Sequence, residues 1–404
     1  MKNVIKILHL SDLRFGIENT PEIELPFNFA QGRKLIFEDL IDKMTDYCRT
    51  NTIDVLIISG DIGYFAVDEE YKDFELWLLE LLKAIKLDKH RVIICPGNHD
   101  FNRNTSVEII TKDNKEQLLS IDKIRNRTEP FDAFQSMCNR LEIPILTNSS
   151  IDNGDGKNAN YLYGYHFIEE LGLLCVVLNS AWNEVKDMSN ESRWLGKSTV
   201  IDMELLAKKI KRGNQNLVTI AVFHHPLSYL NPEDSSEEYG NTDTSYQHLA
   251  NFISIILNGH SKGGMQRPTS IANGIKIFRS GAVHNSDTKL FEFEIIELNT
   301  QMWSYELYAG KYKDCSWEIE PFDTTAGALD NYFSYGQQAV NAMTKSLIQG
   351  IPKETLEKLA PIASSIYMLL MEMHKNNREN NEFVQEQKLK NHNNQEEKTD
   401  HVKE

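Results

Sequence analysis

The chain has 404 residues, 41% hydrophobic and 25% charged, the proportions of an ordinary globular chain with enough apolar mass for a sizeable core and two or three units. Its 43 basic residues against 59 acidic ones leave a net charge of −16, which argues against a general nucleic-acid binder held by phosphate neutralisation, although one cleft can reverse that sign locally. Five scattered cysteines without a C-x-x-C argue against a disulfide framework, and neither a signal peptide nor an apolar run of about 18 residues is present, so a cytoplasmic chain without a membrane span is expected.

The first third alternates strand and helix. Residues 4–10, 53–59 and 92–95 are short apolar runs, predicted as strands. Residues 34–48 and 71–85 between them carry apolar side chains at helical spacing, which predicts a sheet covered on both faces. Residues 103–126 are polar and predict a surface excursion, and 130–141 predict a helix. Strands are predicted at 161–169, 173–178, 217–223 and 255–257, with helices at 200–212 and 246–254. After residue 260 the pattern becomes strands alone, at 275–278, 290–296, 302–308 and 316–320. The composition then turns helical. Residues 361–373 place Ile362, Ile366, Leu369, Leu370 and Met373 on one stripe, suited to a core-docked helix or to a partner helix. From residue 376 the chain is rich in Asn, Gln, Glu and Lys with almost no apolar residues, which predicts a disordered tail. The expected organisation is therefore a catalytic-type α/β domain over 1–322, a helical extension over 323–375 and a tail over 376–404.

The informative feature is where the polar residues fall. Asp12, Asp61, Asn98, His224 and His260 each lie just past the C-terminal end of an apolar run. Ligands of α/β sheets bind there, where the loops converge. One Asp or Asn in that place can simply cap a helix or make a turn. A set of five, three of them beside glycine (Gly60, Gly97, Gly259), points to a site. Oxygen and imidazole donors without thiolate suit a divalent Mn, Fe or Zn ion, and a shared carboxylate would allow a pair of ions that clamp a phosphoryl group.

The segments H-L-S-D-L-R-F-G (9–16), S-G-D-I-G (59–63), C-P-G-N-H-D-F-N-R (95–103), F-H-H-P-L (223–227) and N-G-H-S-K (258–262) resemble, in order, the motifs of the calcineurin-like metallophosphoesterases. The resemblance implies a four-layer α/β/β/α sandwich with its site on strand-end loops. It implies that Asp12 binds a first metal and that Asp61 bridges to a second, completed by Asn98, His224 and His260. It places His99 near the substrate, as a phosphate contact or as the acid for the leaving oxygen, with Asp100 orienting it by a hydrogen bond. Arg103 and His225 are candidate substrate contacts, each with a plain surface or strand reading beside it. His9 reads as a core residue.

Two positions depart from the family pattern. Its Asp-x-His is Asp12-Leu13-Arg14 here, and its Gly-His-x-His is Gly259-His260-Ser261-Lys262. Both missing histidines belong to the first metal, whereas the second keeps all four expected ligands. Arginine cannot ligate, and lysine ligates only when neutral. Arg14 and Lys262 are therefore expected to pair with Asp12 and Asp61 in place of an ion, and to hold a substrate phosphate electrostatically. Three readings stay open: a phosphoesterase with one ion or an atypical pair, a pseudoenzyme that binds a nucleotide or phosphate ligand as sensor or scaffold, and an interaction module working through its C-terminal helices. Phosphorylated ligands are the expected partners, nucleotides and nucleic acids among them. A homodimer or a protein partner on the C-terminal helices is also compatible with the sequence.

Overall fold

Short runs such as Val-Leu-Ile-Ile and Val-Ile-Ile-Cys are β-branched, apolar throughout and closed by turn residues, so they form strands buried on both faces. In a computed structural model of the chain the described residues are 2–17, 27–105, 114–120, 129–143, 163–184, 193–211, 217–235, 244–260, 264–270, 275–283, 291–322 and 327–328. The chain divides into a unit Met1–Tyr332 and a unit Phe333–Glu404. All described residues fall in the first. The expected helical extension 323–375 and tail 376–404 therefore lie outside the described residues, except that Gly327–Ala328 pair as a strand.

The strands are β1 (Val4–Leu10), β2 (Val55–Ser59), β3 (Val92–Cys95), β4 (Gly164–Ile168), β5 (Leu173–Val177), β6 (Val218–Val222), β7 (Ile255–Asn258), β8 (Gln266–Ser270), β9 (Lys276–Arg279), β10 (Glu292–Asn299), β11 (Ser304–Lys313), β12 (Ser316–Pro321) and β13 (Gly327–Ala328). They make two sheets. The first runs β12-β11-β10-β1-β2-β3 with β13 beside β11, and the second runs β4-β5-β6-β7-β9-β8. The pairs β1–β2–β3 and β5–β6–β7–β9 are parallel. Helices such as Asp68–Ile85 and Lys197–Lys211 supply the crossovers that parallel pairing requires.

The sheets pack face to face. Within β5, Cys175 and Val177 join the cluster that holds Ile5, Ile7 and Ile57 of the first sheet. Leu174 and Val176 face the other way and pack with Val200 and Met203 of the helix Lys197–Lys211. The period of two thus splits one strand between an inner and an outer core. Phe74, Leu78 and Leu81 of the helix Asp68–Ile85 are fully buried with Leu40 and Met44 of the helix Phe27–Tyr47. Each such side chain contributes about 1.5–3 kcal/mol by leaving water. The result is a helix-flanked double-sheet α/β/β/α sandwich.

Several predicted elements differ in extent. The first helix begins at Phe27 rather than 34, and the helix expected over 246–254 is only Ser245–Leu249, opened by a Thr244–Gln247 capping box. The exposed strand β8 has no apolar pattern; it exists because it pairs with β9.

Register positions the site. Leu10 pairs with Ile58, and Ser59 with Cys95, so β1, β2 and β3 end together. Val222 pairs with both Val177 and Leu257, so β5, β6 and β7 end together in the other sheet. Asp12, Asp61 and Asn98 follow the first group, and His224 and His260 follow the second.

Candidate functional site

The loop after β1 stays zipped to the loop after β2: the N–H groups of Asp12, Arg14 and Phe15 donate to the carbonyls of Gly60, Asp61 and Ile62. Asp12, Arg14, Asp61 and His260 all adopt left-handed backbone, with φ of 53°, 52°, 55° and 57°. Such angles cost of order 1–3 kcal/mol at a non-glycine residue and persist only where the surroundings enforce them. Glycines clear space for the ligating side chains. A Cβ on Gly97 would lie 2.2 Å from Asp61 Oδ1, and one on Gly259 would run into Ser11 Oγ.

On one side of the site, Arg14 Nη2 donates to Asp12 Oδ1 at 2.9 Å and to Asp61 Oδ2 at 3.3 Å. Asp12 Oδ2 accepts from Ser11 Oγ and from the His260 N–H. The buried Arg33 fixes this loop by donating to the carbonyls of Leu13 and Arg14 while its guanidinium lies over Phe37. Burial works against the charge of Arg14, but Asp12 and Asp61 more than offset it, so its pKa is raised.

On the other side, His224 Nδ1 donates to the Ser59 carbonyl at 2.7 Å, which commits that nitrogen to its proton. His224 Nε2 then faces Asp61 Oδ1 at 3.3 Å and His260 Nδ1 at 3.1 Å. A neutral His224 would present its Nε2 lone pair to the Asp61 carboxylate, so a cation belongs between them. Without an ion that cation is a proton: burial opposes the charge, yet Asp61 and Asp12 raise His224 to about 9. Burial and the charge of His224 together lower His260 to about 2. Asp61 is pushed up by burial but held well below the carboxylate range, chiefly by the charge of His224.

The donors fit a divalent ion. Metal–nitrogen and metal–oxygen distances of about 2.0–2.2 Å require neighbouring ligand atoms to stand roughly 3.0–3.5 Å apart, and His224 Nε2 stands at that spacing from both Asp61 Oδ1 and His260 Nδ1. The ring nitrogen turned away from the ion position carries the backbone bond that fixes the orientation of a ligating histidine. Asp12, Asp61 and His224 form another set of atoms within 4.8 Å of one another, but both of its carboxylates are engaged by Arg14.

The remaining predicted residues are placed as follows. His99 donates its backbone N–H to Asp61 Oδ1 at 2.9 Å, its Nδ1 donates to the Tyr64 carbonyl at 3.1 Å, and its ring stacks on Tyr64. Burial lowers its pKa. Asp100 does not orient His99. Its carboxylate instead accepts from the N–H groups of Ile62, Gly63 and Gly97 and from the Tyr71 hydroxyl, tying the β2 loop to the β3 loop. Burial and the charge of Asp61 push Asp100 up to about 7 against those donors. His225 is fully buried at the edge of the site. Its Nε2 lies 3.2 Å from Asn98 Oδ1 and its Nδ1 lies 2.9 Å from Ser180 Oγ. Arg103 is exposed and close enough to His99 to help lower its pKa. Lys262 lies outside the described residues. His9 is buried between Glu294 at 2.5 Å and Ser59 Oγ at 2.8 Å.

The sequence reading missed Ser59, Tyr71, Arg33 and Ser180. Ser180 was within reach of the same reasoning, since it too follows the end of an apolar run. The other three act through contacts that no spacing announces.

A metallophosphoesterase-like protein of Bacillus subtilis, YydB, is 23% identical over 303 residues, 73% of this chain and 57% of the relative, so the chain spans just over half of that protein's length. Among solved structures, a dimetal phosphatase from Danio rerio is 11% identical with a TM-score of 0.41, covering 80% of this chain and all of that one. The Haemophilus influenzae NAD nucleotidase is 11% identical with a TM-score of 0.35, covering 85% of this chain and 56% of that one. The model of the calcineurin-like phosphoesterase family matches residues 5–263, well over half of the chain. The chain therefore belongs to the calcineurin-like phosphoesterases, a family of hydrolases that act on phosphoric esters.

Proposed function

We propose that the chain is a metal-dependent hydrolase of phosphomonoesters or phosphodiesters that works with one divalent ion, the guanidinium of Arg14 occupying the first-metal position. The observation that carries this reading is Arg14 Nη2 set between the carboxylates of Asp12 and Asp61, opposite the donors of His224 and His260. Asp61, Asn98, His224 and His260 would hold the ion, which when bound activates water and polarises a phosphoryl oxygen. Arg14 spends Nη2 on the two carboxylates, so the guanidinium keeps its other amino nitrogen, Nη1, for a phosphate oxygen. Lys262 would add a second positive charge. His99 holds the Nδ1 proton against the Tyr64 carbonyl, so only its other nitrogen can serve a leaving oxygen. It donates there when it is the imidazolium, a form that an approaching phosphate anion favours. Arg103 would meet the phosphate at the rim.

The test is hydrolysis of p-nitrophenyl phosphate and bis(p-nitrophenyl) phosphate by the Zn- or Mn-loaded protein. One ion per chain is expected, with turnover lost on His224→Ala and on Asp61→Ala. A second reading draws on the same guanidinium, which cannot supply what a second metal supplies: the protein would bind a nucleotide or phosphate ligand as sensor or scaffold. Thermal stabilisation by such a ligand, with the ion bound and neither ester hydrolysed, would favour it.

A further inference from the structure

Beside the four donors just named stands a third imidazole. His225 would turn away from His224 if β6 ran on, because successive side chains of a strand alternate. The strand ends at Val222, however, and residues 224 and 225 lie in a bend before Pro226. Both rings consequently turn to the same side. The His225 centroid is 4.9 Å from that of His224 and 4.7 Å from that of His260. One ring nitrogen from each of the three lies within 4.8 Å of the other two.

We propose, on the one-ion reading above, that His225 is a direct ligand and that the site is a zinc centre of three imidazoles, His224, His225 and His260, beside the oxygen donors of Asp61 and Asn98. Its Nε2 stands 3.2 Å from Asn98 Oδ1, the spacing of two neighbouring ligands on one ion. Ser180 is the polar partner that a ligating histidine needs on its other nitrogen. The Ser180 oxygen accepts the His225 backbone N–H at 3.0 Å and stands 2.9 Å from Nδ1. Its rotatable hydroxyl can donate to Nδ1 in the ion-free protein, and its oxygen can accept the Nδ1 proton once Nε2 is given to the ion. A set with three imidazoles favours zinc over manganese or magnesium.

The alternative within the same geometry is that His225 merely donates Nε2–H to Asn98 and orients it. Affinity alone does not separate the two, since losing an orienting partner already costs about 10–100-fold in metal binding. The count of imidazoles does. X-ray absorption at the zinc edge of the full-length protein loaded with zinc alone is expected to show three imidazoles. His225→Gln is expected to show two, with zinc affinity lower by more than about 100-fold. Ser180→Ala should keep three imidazoles and lose affinity within the orienting range. Two imidazoles in the unmodified protein overturn the inference whatever the variants do. A protein that binds no zinc at all overturns the one-ion reading itself, so the two failures are distinguishable.

Discussion

Deleting the charge of Arg14 should convert a satisfied pair of carboxylates into a destabilising one. Asp12 and Asp61 are 2% and 0% exposed at their side chains, and Arg14 is 18% exposed, so water can do little for the anions left behind. Removing one partner of a buried ion pair costs about 3–5 kcal/mol. The upper end is capped, because a carboxylate with an ordinary pKa of about 3.9 can instead take a proton at pH 7 for about 4 kcal/mol. Arg14→Met should therefore lose about 3–4 kcal/mol of unfolding free energy at pH 7 in chelator. The sign of the pH dependence follows. Without the guanidinium the folded-state carboxylate pKa rises above its unfolded value, so the penalty is present above that value and shrinks as pH falls towards it. At pH 5 the cap drops to about 1.5 kcal/mol. Urea denaturation of both proteins at the two pH values measures this. Arg14→His should also raise the ion count towards two per chain, read by elemental analysis. A loss below about 1 kcal/mol at pH 7, or an equal loss at both pH values, would refute the claim that Arg14 neutralises the pair.

Gly97→Ala should abolish tight metal binding in a titration, because the new methyl group would meet Asp61 Oδ1 at 2.2 Å and the Asp61 backbone nitrogen at 2.4 Å. Tyr71→Phe should cost about 1 kcal/mol in urea denaturation, since Asp100 keeps its three backbone donors and loses only the 3.0 Å hydroxyl bond. Glu294→Ala should cost about 1–3 kcal/mol, because it strips the fully buried His9 Nδ1 of its partner and leaves only the Ser59 bond on the other nitrogen. Chelation should lower the melting temperature, with about 2.7 kcal/mol at stake when the free ion stands at 100 times its dissociation constant. An unchanged melting temperature would mean that no ion is held in the folded state.

The inner strands were legible in the amino-acid order because apolar runs bounded by turn residues have few other uses. β8 was not, since its residues carry no pattern and only the neighbouring β9 makes them a strand. The strand-end residues were equally visible as a set, because within each sheet the loops that follow parallel strands emerge at the same edge. What the chain order could not supply was partnership. Asp100 stands beside His99 in sequence, yet its carboxylate points into a loop of N–H groups from Gly97, Ile62 and Gly63. His225 follows His224 and would face the other way along a continuing strand, but the end of β6 at Val222 brings both rings together. Arg14 could be recognised from its neighbours as a cation where the family pattern has histidine. Its pairing with Asp12 and Asp61 was expected from that pattern, and the parallel pairing of β1 with β2 is what brings Asp61, 47 residues away, within reach. Local order fixes which side chains are available and which backbone they ride on. Only the packed sheets decide which of them meet, because the distances that make a ligand set or an ion pair are set by register and not by spacing along the chain.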